Sequence, residues 1–425
     1  MLKTLQNAFK VPELRKKMFI TLALLAVYRA GVHIPVPYID TTQLNRVLGQ
    51  GMLFGFFDLI SGGAFKEFSI FAMGVGPYIN SSIIMNLLTI AIPKLEALQK
   101  EGEEGRKKIA EYTRYGTVIF AIIQGFGIAV YLRNSGALTT DSWLAVIMII
   151  LTTTAGSTFV MWLGEKITEH GLGNGTSLII FAGIVIRIPI VGYQLISLTK
   201  VGTVNIIEDI LLLAGFVVLI TGIVTMDLGE RRIPVQYAQR RVGIKSYGGQ
   251  STHIPINVNP AGVIGIIFAM SVMQFPLVLV QFFADPAGKV YYLFNKGLLS
   301  SKSWLYIVIY ILLIIFFTWF YTSVTFKPDE MAQNLQKSGG FIPGFRPGKP
   351  TEDFITRTLN RMTFIGGVFA SVIAVLPIIV GKFNSNFGNV AFGGTAIIIM
   401  VGVAMEVNKQ LKAQLAMRHY EGFLK

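Results

Sequence analysis

The sequence has no cysteine and few charged residues for its length. None of its 425 residues is cysteine, which excludes disulfide bonds and thiolate metal sites. Charged residues make up 14% of the chain, whereas a soluble protein carries about a quarter. Hydrophobic residues make up 52%, and the mean hydropathy is +0.59. This composition predicts a polytopic membrane protein with nearly all of its mass in or next to the bilayer.

Motifs for nucleotide hydrolysis and metal binding are also missing. No GxxxxGK[ST] pattern occurs, so the chain is not expected to hydrolyse ATP itself. The four histidines lie in separate connections or ends and have no metal-ligand spacing: His33, His170, His253 and His419. We therefore expect no cofactor, no metal and no enzymatic activity.

Long apolar windows predict ten membrane spans, each about long enough to cross the hydrocarbon core. They are residues 18–35, 73–92, 115–132, 143–163, 176–192, 208–227, 261–283, 304–325, 362–381 and 391–407. Ten spans put both termini on one side, and most Lys and Arg lie in the segments on that side. The positive-inside rule therefore predicts cytoplasmic termini, although Lys289, Lys296 and Lys302 fall on the other face. No cleavable signal peptide is expected.

The stretch Ser61–Thr89 is apolar but interrupted. Lys66 and Glu67 lie in its first third, and two glycines and a proline at 74–77 break its middle. A helix broken at membrane depth needs its freed backbone groups to face protein or water. This pattern predicts a segment that lines a cavity or pore. A kinked packing helix is the alternative interpretation.

Ionisable residues are absent from the middles of the predicted spans. An ion-coupled transporter needs such a residue, so a secondary transporter of a small solute is the disfavoured alternative, as is an intramembrane enzyme. A hydrophobic constriction closes a pore without charge, and Ile79 and Ile83 share one face of a helix. Spacing alone also fits lipid-facing or core isoleucines. The polar residues of the span middles are neutral: Asn80, Ser81, Ser82, Asn86, Gln124, Ser157, Thr158, Ser271 and Gln274.

Two cytoplasmic connections, residues 228–260 and 326–361, are too long for plain turns. Apolar residues alternate at 233–237 and again at 254–258, with two glycines between, which predicts a pair of short strands. Pro328 can begin a short helix that ends at Lys337, and residues 339–350 are expected to be irregular. Loops of this length are usually functional, although a solvated basic loop is the alternative.

Six long motifs occur along the chain. They are Ser61-Gly-Gly with Gly76-Pro-Tyr-Ile-Asn-Ser-Ser-Ile83, His170-Gly-Leu-Gly-Asn-Gly175, Glu230-Arg-Arg-Ile-Pro-Val-Gln-Tyr-Ala238, Gln250-Ser-Thr-His-Ile-Pro255, Asn334-Leu-Gln-Lys-Ser-Gly-Gly-Phe-Ile-Pro-Gly-Phe-Arg-Pro-Gly348 and Phe392-Gly-Gly-Thr395. Together they resemble the SecY family, the pore subunits of the bacterial Sec protein-translocation channel. The resemblance runs from the first span to the last, in the family's order.

The resemblance implies an all-α fold in which ten transmembrane helices form two inverted, pseudo-symmetric halves. These halves, residues 1–192 and 193–425, are expected to form a clamshell around an hourglass pore, with a re-entrant plug helix near 61–72. The implied function is a protein-conducting channel in the bacterial inner membrane. It passes unfolded polypeptides across, and releases signal peptides and transmembrane segments sideways into lipid. The implied partners are SecE, SecG, the SecA ATPase and the ribosome with its RNA.

The resemblance also assigns roles to individual residues. It puts a ring of aliphatic side chains at Ile79, Ile83, Ile180, Ile267 and Ile399, and a plug at Ser61, Gly62, Gly63, Phe65, Phe68 and Ile70. A lateral gate is implied at Ser82, Asn86, Gln124, Ser271 and Gln274, and partner docking at Arg240, Arg241, Lys245 and Arg346. Two positions depart from the family pattern. Gly265 stands where proline is common, and Thr176 stands where many relatives have an aliphatic ring residue.

Overall fold

Helices dominate the fold seen in a computed structural model of the chain. It describes residues 2–40, 43–44, 61–200, 206–237, 240–242, 245–247, 252–283, 288–295, 297, 303–383 and 394–423. Its helices are α1 (Leu2–Lys10), α2 (Pro12–Val32), α3 (Gly76–Ala91), α4 (Pro93–Lys100), α5 (Glu103–Asn134), α6 (Trp143–His170), α7 (Gly175–Lys200), α8 (Ile206–Leu228), α9 (Ile264–Phe283), α10 (Lys289–Asn295), α11 (Trp304–Thr325), α12 (Pro328–Lys337), α13 (Lys349–Phe383) and α14 (Gly394–Phe423). Its strands are β1 (Glu230–Tyr237), β2 (Arg240–Val242), β3 (Lys245–Tyr247), β4 (Thr252–Asn257) and β5 (Gly340–Phe341).

A helix lies at each of the ten predicted windows. By length and composition, four helical stretches are sufficient to cross a membrane: Glu103–Asn134, Trp143–His170, Trp304–Lys337 and Lys349–Val380. Helices α3 and α4 pass the same test together, but they are bent by 99° at their break. The bend follows from Pro93, because the preceding Ile92 is held in an extended conformation. The polytopic helical architecture is confirmed, whereas the count of ten spans stays a prediction.

The chain forms two compact units. The first contains residues 1–204, 270–306 and 403–425, and the second contains residues 205–269 and 307–402. The units are not continuous in sequence, and the predicted division at residue 192 stays a prediction.

The core of the first unit is built around α5 and α6. Its buried cluster joins these helices to Val36, Leu44 and the chain segment 65–73. The members of the cluster are Val36, Leu44, Phe65, Phe68, Ala72, Met73, Ala121, Ile128, Ala129, Leu132, Ala137, Val146 and Ile149. The segment before α3 is therefore part of this core rather than an appendage to it.

Residues 61–75, which we call the strap, form a succession of turns. The prediction of a plug helix at 61–72 is therefore wrong for these residues. Gly62, Gly63 and Gly74 have φ values of 62°, 94° and 53°, and Phe68 has a φ of 43°. Left-handed residues at these positions cannot belong to a right-handed α-helix. A regular helix begins only at Gly76, where a proline in the first turn favours its start.

The second unit carries a small three-stranded sheet with strand order β4-β1-β5. The predicted strand pair is confirmed, because β1 pairs antiparallel with β4 from Glu230 opposite Asn257 to Val235 opposite Thr252. The predicted helix from Pro328 is also confirmed as α12. The sequence did not indicate that the two long connections join. Strand β5 pairs with β1, and a shared core of Ile233, Val235, Ile256, Ile342, Ile355 and Leu359 lies beneath.

Candidate functional site

Helix α3 carries the first two predicted ring residues, and its rotation is set by Ser81. The Ser81 hydroxyl donates a hydrogen bond of 2.7 Å to the carbonyl oxygen of Thr113 on α5. A Cβ atom added at Gly116 of α5 would overlap the Ser81 side chain, so this glycine permits the close approach. Ile79 and Ile83 lie on the opposite side of α3, because residues two apart in a helix point in roughly opposite directions. They are 5% and 3% exposed.

The other predicted ring residues lie on three further helices. Ile180 is 2% exposed on α7 in the first unit. In the second unit, Ile267 is half-buried in the first turn of α9, and Ile399 is 2% exposed on α14. All five are thus helical and at least half-buried within the chain.

Thr176 belongs to the packing of α7 rather than to an open surface. Its side chain lies within reach of the Tyr78 side chain on α3. A Cβ atom added at Gly164 of α6 would lie 3.2 Å from the Thr176 Oγ1 atom. The same part of α6 is tied to α5 by an ion pair, in which Arg114 Nε lies 2.8 Å from Glu165 Oε1. Thr176 therefore contacts α3 and α6 as well as its own helix, and whether the ring has a polar member here or only the five isoleucines is not tested by these contacts.

The predicted plug residues all lie in the strap. Ser61 is 0% exposed, and Phe65 and Phe68 are each 1% exposed, whereas Gly63 and Ile70 are half-buried. A Cβ atom added at Gly62 would come within 2.7 Å of the Cα atom of Gly183 on α7. Gly183 follows Ile180 by three residues and so lies on the same side of α7, about one turn away. The strap therefore crosses α7 about one turn from a predicted ring residue.

The predicted lateral-gate residues lie on α3, α5 and α9. Ser82 and Asn86 are half-buried on α3, Gln124 is buried on α5, and Ser271 and Gln274 are on α9. The Oε1 atoms of both glutamines are buried and accept no hydrogen bond within the part of the chain that the structure describes. Buried amide oxygens of this kind leave an acceptor available for a water molecule or another polar group.

The docking residues predicted in the long connections belong to the second unit. Arg346 is exposed in a turn between two glycines with positive φ, and its carbonyl oxygen accepts a 2.8 Å hydrogen bond from the Thr351 hydroxyl. The preceding Phe345 packs against Phe354 of α13, with ring centroids 4.2 Å apart and the ring planes tilted by 31°. Arg240 and Arg241 lie in β2, opposite Tyr247 and Ser246 of β3, and Lys245 begins β3.

A family model described as SecY matches residues 69–408. The chain belongs to the SecY family. Protein translocase subunit SecY of Halalkalibacterium halodurans is 44% identical, and that of Streptomyces scabiei is 42% identical; both alignments cover 100% of this chain and of the relative. SecY proteins are membrane-embedded subunits of a protein-conducting channel rather than known enzymes. This membership makes the chain a protein-translocation channel subunit.

Solved structures share the SecY fold. A structure described as a protein-conducting channel matches with a TM-score of 0.67 and 19% identity over 96% of both chains. Sec61 in the canine ribosome-channel complex matches with a TM-score of 0.63 and 18% identity, also over 96% of both chains. At these identities the likeness concerns the fold, and it extends over nearly the whole chain.

The two departures from the common SecY pattern are close-packing positions. Thr176 joins three helices, as described above. A Cβ atom added at Gly265 would lie 2.8 Å from Oγ1 and 3.1 Å from Cα of Thr318 on α11. This glycine therefore lets the first turn of α9 approach the backbone of α11.

Two functional residues of α2 are missed by sequence reasoning. From the sequence, Arg29 is only a basic residue at the end of a span, and Tyr28 carries no signal. In the structure, both donate hydrogen bonds to backbone carbonyls of the strap, at Ser61 and Gly62. Contacts between residues 33 positions apart follow no local pattern, so the sequence cannot indicate them.

Proposed function

We propose that this chain forms the pore through which unfolded polypeptides cross the membrane, closed at rest by a ring of aliphatic side chains. The ring consists of Ile79, Ile83, Ile180, Ile267 and Ile399. The observation that carries this proposal is the rotation of α3 about its axis. Ser81 is hydrogen-bonded to α5, and Ile79 and Ile83 lie on the opposite side of the helix. Branched aliphatic side chains exclude water and ions, yet bind no particular sequence strongly.

The proposed channel has ten membrane-spanning helices, one at each of the ten predicted windows. All ten cross the bacterial inner membrane, with both termini in the cytoplasm, and they form two inverted halves that surround the pore. The neutral character of the predicted span middles supports a channel over a secondary transporter, which needs a charge to bind its ion.

A lateral gate is proposed between α3 and α5 on one side and α9 and α11 on the other. Its polar contacts are Ser82, Asn86, Gln124, Ser271 and Gln274. Neutral polar pairs within a membrane contribute only about 0.6–2 kcal/mol each. A signal helix that buries several leucines in lipid gains about 1.5–3 kcal/mol per side chain, so it can open such a seam.

The strap is proposed to seal the pore on the side of the ring that faces away from the cytoplasm. Its crossing of α7 about one turn from Ile180 supports this role. Lys66 and Glu67 are exposed at its surface, as expected of residues that face a water-filled vestibule.

The proposed partners of the channel are SecE and SecG as companion subunits, and SecA or the ribosome, which drives the polypeptide through the pore. Two structural relatives, Sec61 and the yeast Ssh1 complex, are described as bound to ribosomes. The exposed Arg346 and the basic β2–β3 hairpin with Arg240, Arg241 and Lys245 are proposed docking groups. Arginine and lysine suit both ribosomal RNA phosphates and protein carboxylates.

Photocrosslinking tests the channel function directly. A photoreactive residue at Ile83 or at Ile267 is expected to capture a translocating nascent chain, because both side chains contact the polypeptide in the pore. The measurement is the covalent adduct of a stalled radiolabelled preprotein. The matched control is Ile84 on the same helix, which is 37% exposed and lies off the ring face. Capture of lipid alone at Ile83 and Ile267 would contradict the channel proposal.

The charge reversal Arg346→Glu tests the docking site. Partner-driven export should fall by about tenfold or more, because like charges placed across an interface cost several kcal/mol. The folded yield should not change, since the Arg346 side chain is exposed. Export into inverted vesicles with purified motor protein measures the effect, and Lys289→Glu on the opposite predicted face is the control. Normal export by Arg346→Glu would remove this residue from the docking site.

A further inference from the structure

The turn that leads into α9 determines where that helix begins. Residues 258–263 connect β4 to α9 and form a bend followed by turns. The Gly262 nitrogen donates a 3.2 Å hydrogen bond to the carbonyl oxygen of Asn259, and Gly262 has a φ of 55°. The carbonyl oxygen of Val263 then accepts a 3.1 Å hydrogen bond from the nitrogen of Ile267, in the first turn of the helix. The position of Ile267, a proposed ring residue, therefore depends on this turn.

Backbone contacts fix the beginning of the turn. The Val258 nitrogen donates a 2.9 Å hydrogen bond to the carbonyl oxygen of Gly229, which directly follows α8. A Cβ atom added at Gly366 of α13 would overlap the carbonyl oxygen of Val258, so α13 packs directly against the backbone of the turn. Beyond this point, the residues of the turn border a cavity.

The cavity next to the turn is small, and all of its lining residues belong to the second unit. Its volume is about 20 Å³, and about 10–15 Å³ is sufficient for one water molecule. Helices α8, α13 and α14 contribute apolar walls that include Ile223, Phe369 and Ile398. Its polar lining side chains are Asp227, at the end of α8, and Asn259 of the turn. The cavity therefore combines the size of one water molecule with two polar side chains.

The side-chain amide of Asn259 has a fixed orientation. Its Nδ2 atom donates a 3.2 Å hydrogen bond to the carbonyl oxygen of Gly262. Because a carbonyl oxygen can only accept, the amide cannot be rotated by 180° without losing this bond. The Oδ1 atom is buried and accepts no hydrogen bond within the part of the chain that the structure describes. Asn259 therefore presents a buried acceptor that needs a donor.

Asp227 is the second acceptor in the cavity lining, and its Oδ2 atom is buried. A carboxylate has about four acceptor positions, so it can bind a water molecule in addition to its other contacts. Two acceptor oxygens cannot bind each other, so a molecule that joins them must donate twice, as water does. Calcium and magnesium ions take about six or more oxygen ligands, whereas only these two lining side chains carry oxygen.

We propose that a single water molecule binds in this cavity and bridges the Asp227 carboxylate to Asn259 Oδ1, with both side chains as positioning residues for the start of α9. A water-mediated hydrogen bond is nearly as favourable in enthalpy as a direct one. The bridge connects the end of α8 to the turn in which Val263 accepts the first bond from Ile267. The proposal rests on the ring that closes the pore, and it adds a bound water that holds one ring residue in place.

An electron cryo-microscopy map of the resting channel, assembled with its partner subunits, tests for the water. The map must show ordered water elsewhere in the chain. A peak is expected within about 2.5–3.0 Å of both Asn259 Oδ1 and an Asp227 carboxylate oxygen. Asp227→Leu is the comparison, because its apolar side chain offers no acceptor and should remove the peak. A parent map without this peak, or a peak that persists in Asp227→Leu, would overturn the site.

Resting ion conductance in reconstituted bilayers tests the positioning role. Asp227→Leu and Asn259→Ala should each raise the conductance by about two- to tenfold, the factor expected for one lost hydrogen bond. Asp227→Asn keeps an acceptor oxygen and should stay within about twofold of the parent chain. The matched control is Asp329→Leu, which makes the same replacement at an exposed position of α12 and should change nothing.

The double variant separates a water bridge from two independent structural effects. If one water joins the two side chains, either substitution removes the bridge, so Asp227→Leu with Asn259→Ala should leak no more than the leakier single variant. A leak equal to the product of the two single effects would overturn the bridge. Unchanged conductance in both single variants would refute the positioning role. Failure of the ring itself is distinguishable, because Ile83→Gly with Ile267→Gly would then also stay tight while the water peak remained.

Discussion

Replacement of Ile83 and Ile267 together by glycine is expected to make the resting channel leak small ions. Each isoleucine contributes about 1.5–3 kcal/mol of apolar burial, and a difference of about 1.4 kcal/mol changes an equilibrium tenfold. The double variant should therefore raise the resting conductance by about tenfold or more. Conductance of reconstituted bilayers without substrate measures the leak.

The matched control for this leak is Ile84→Gly. It removes the same side chain from the same helix and introduces the same helix-weakening residue, but at a position outside the proposed ring. A leak in Ile84→Gly of the same size would assign the effect to helix weakening. Tight conductance in the double variant would contradict the ring assignment altogether.

A single methyl group at Gly156 is expected to disrupt the first unit. Alanine is the better helix former, so local propensity alone favours Gly156→Ala. The added Cβ atom would overlap the Ile70 carbonyl group, however, and neither backbone can yield without separating α6 from the strap. The expected loss of unfolding free energy is about 3 kcal/mol or more.

Thermal unfolding in detergent, followed by the monodisperse fraction, measures this loss. Gly192→Ala is the control, because nothing lies within 4 Å of a Cβ atom added there. That substitution should be neutral or should stabilise α7 by about 0.5–1 kcal/mol. A Gly156→Ala variant as stable as Gly192→Ala would mean that the strap does not pack against α6 as described.

Two features of the loops illustrate how far sequence reasoning extends. The alternation at residues 233–237 and 254–258 predicted strands, and Pro328 predicted a helix start, because both signals are local. The pairing of Gln236 with Phe341 was not predictable, since two residues of β5 carry too little pattern. The sheet between the connections is decided by the buried apolar side chains of both, which only the folded chain brings together.

For the candidate site, too, some features could be predicted from the sequence and others could not. Helical spacing put Ile79 and Ile83 on one face, but spacing alone fitted lipid-facing or core isoleucines better, and only the family resemblance favoured a ring. The Ser81 hydrogen bond to α5 supplies the missing orientation. Thr176 stands where many relatives have an aliphatic ring residue, and its contacts with Tyr78 and Gly164 follow from the fold rather than from any local pattern.

The sequence by itself determined that this protein is a membrane protein of the SecY family, with neutral residues in the middles of its predicted spans and two long connections that carry strand and helix signals. Composition, apolar run length and long motifs are properties of the sequence itself, so they can be recognised without knowledge of the fold. Only the tertiary structure decided that residues 61–75 are a strap of turns bound by Tyr28 and Arg29. The strap contacts α2, α6 and α7 through groups that are far apart in the chain. No local sequence pattern encodes which of these groups meet.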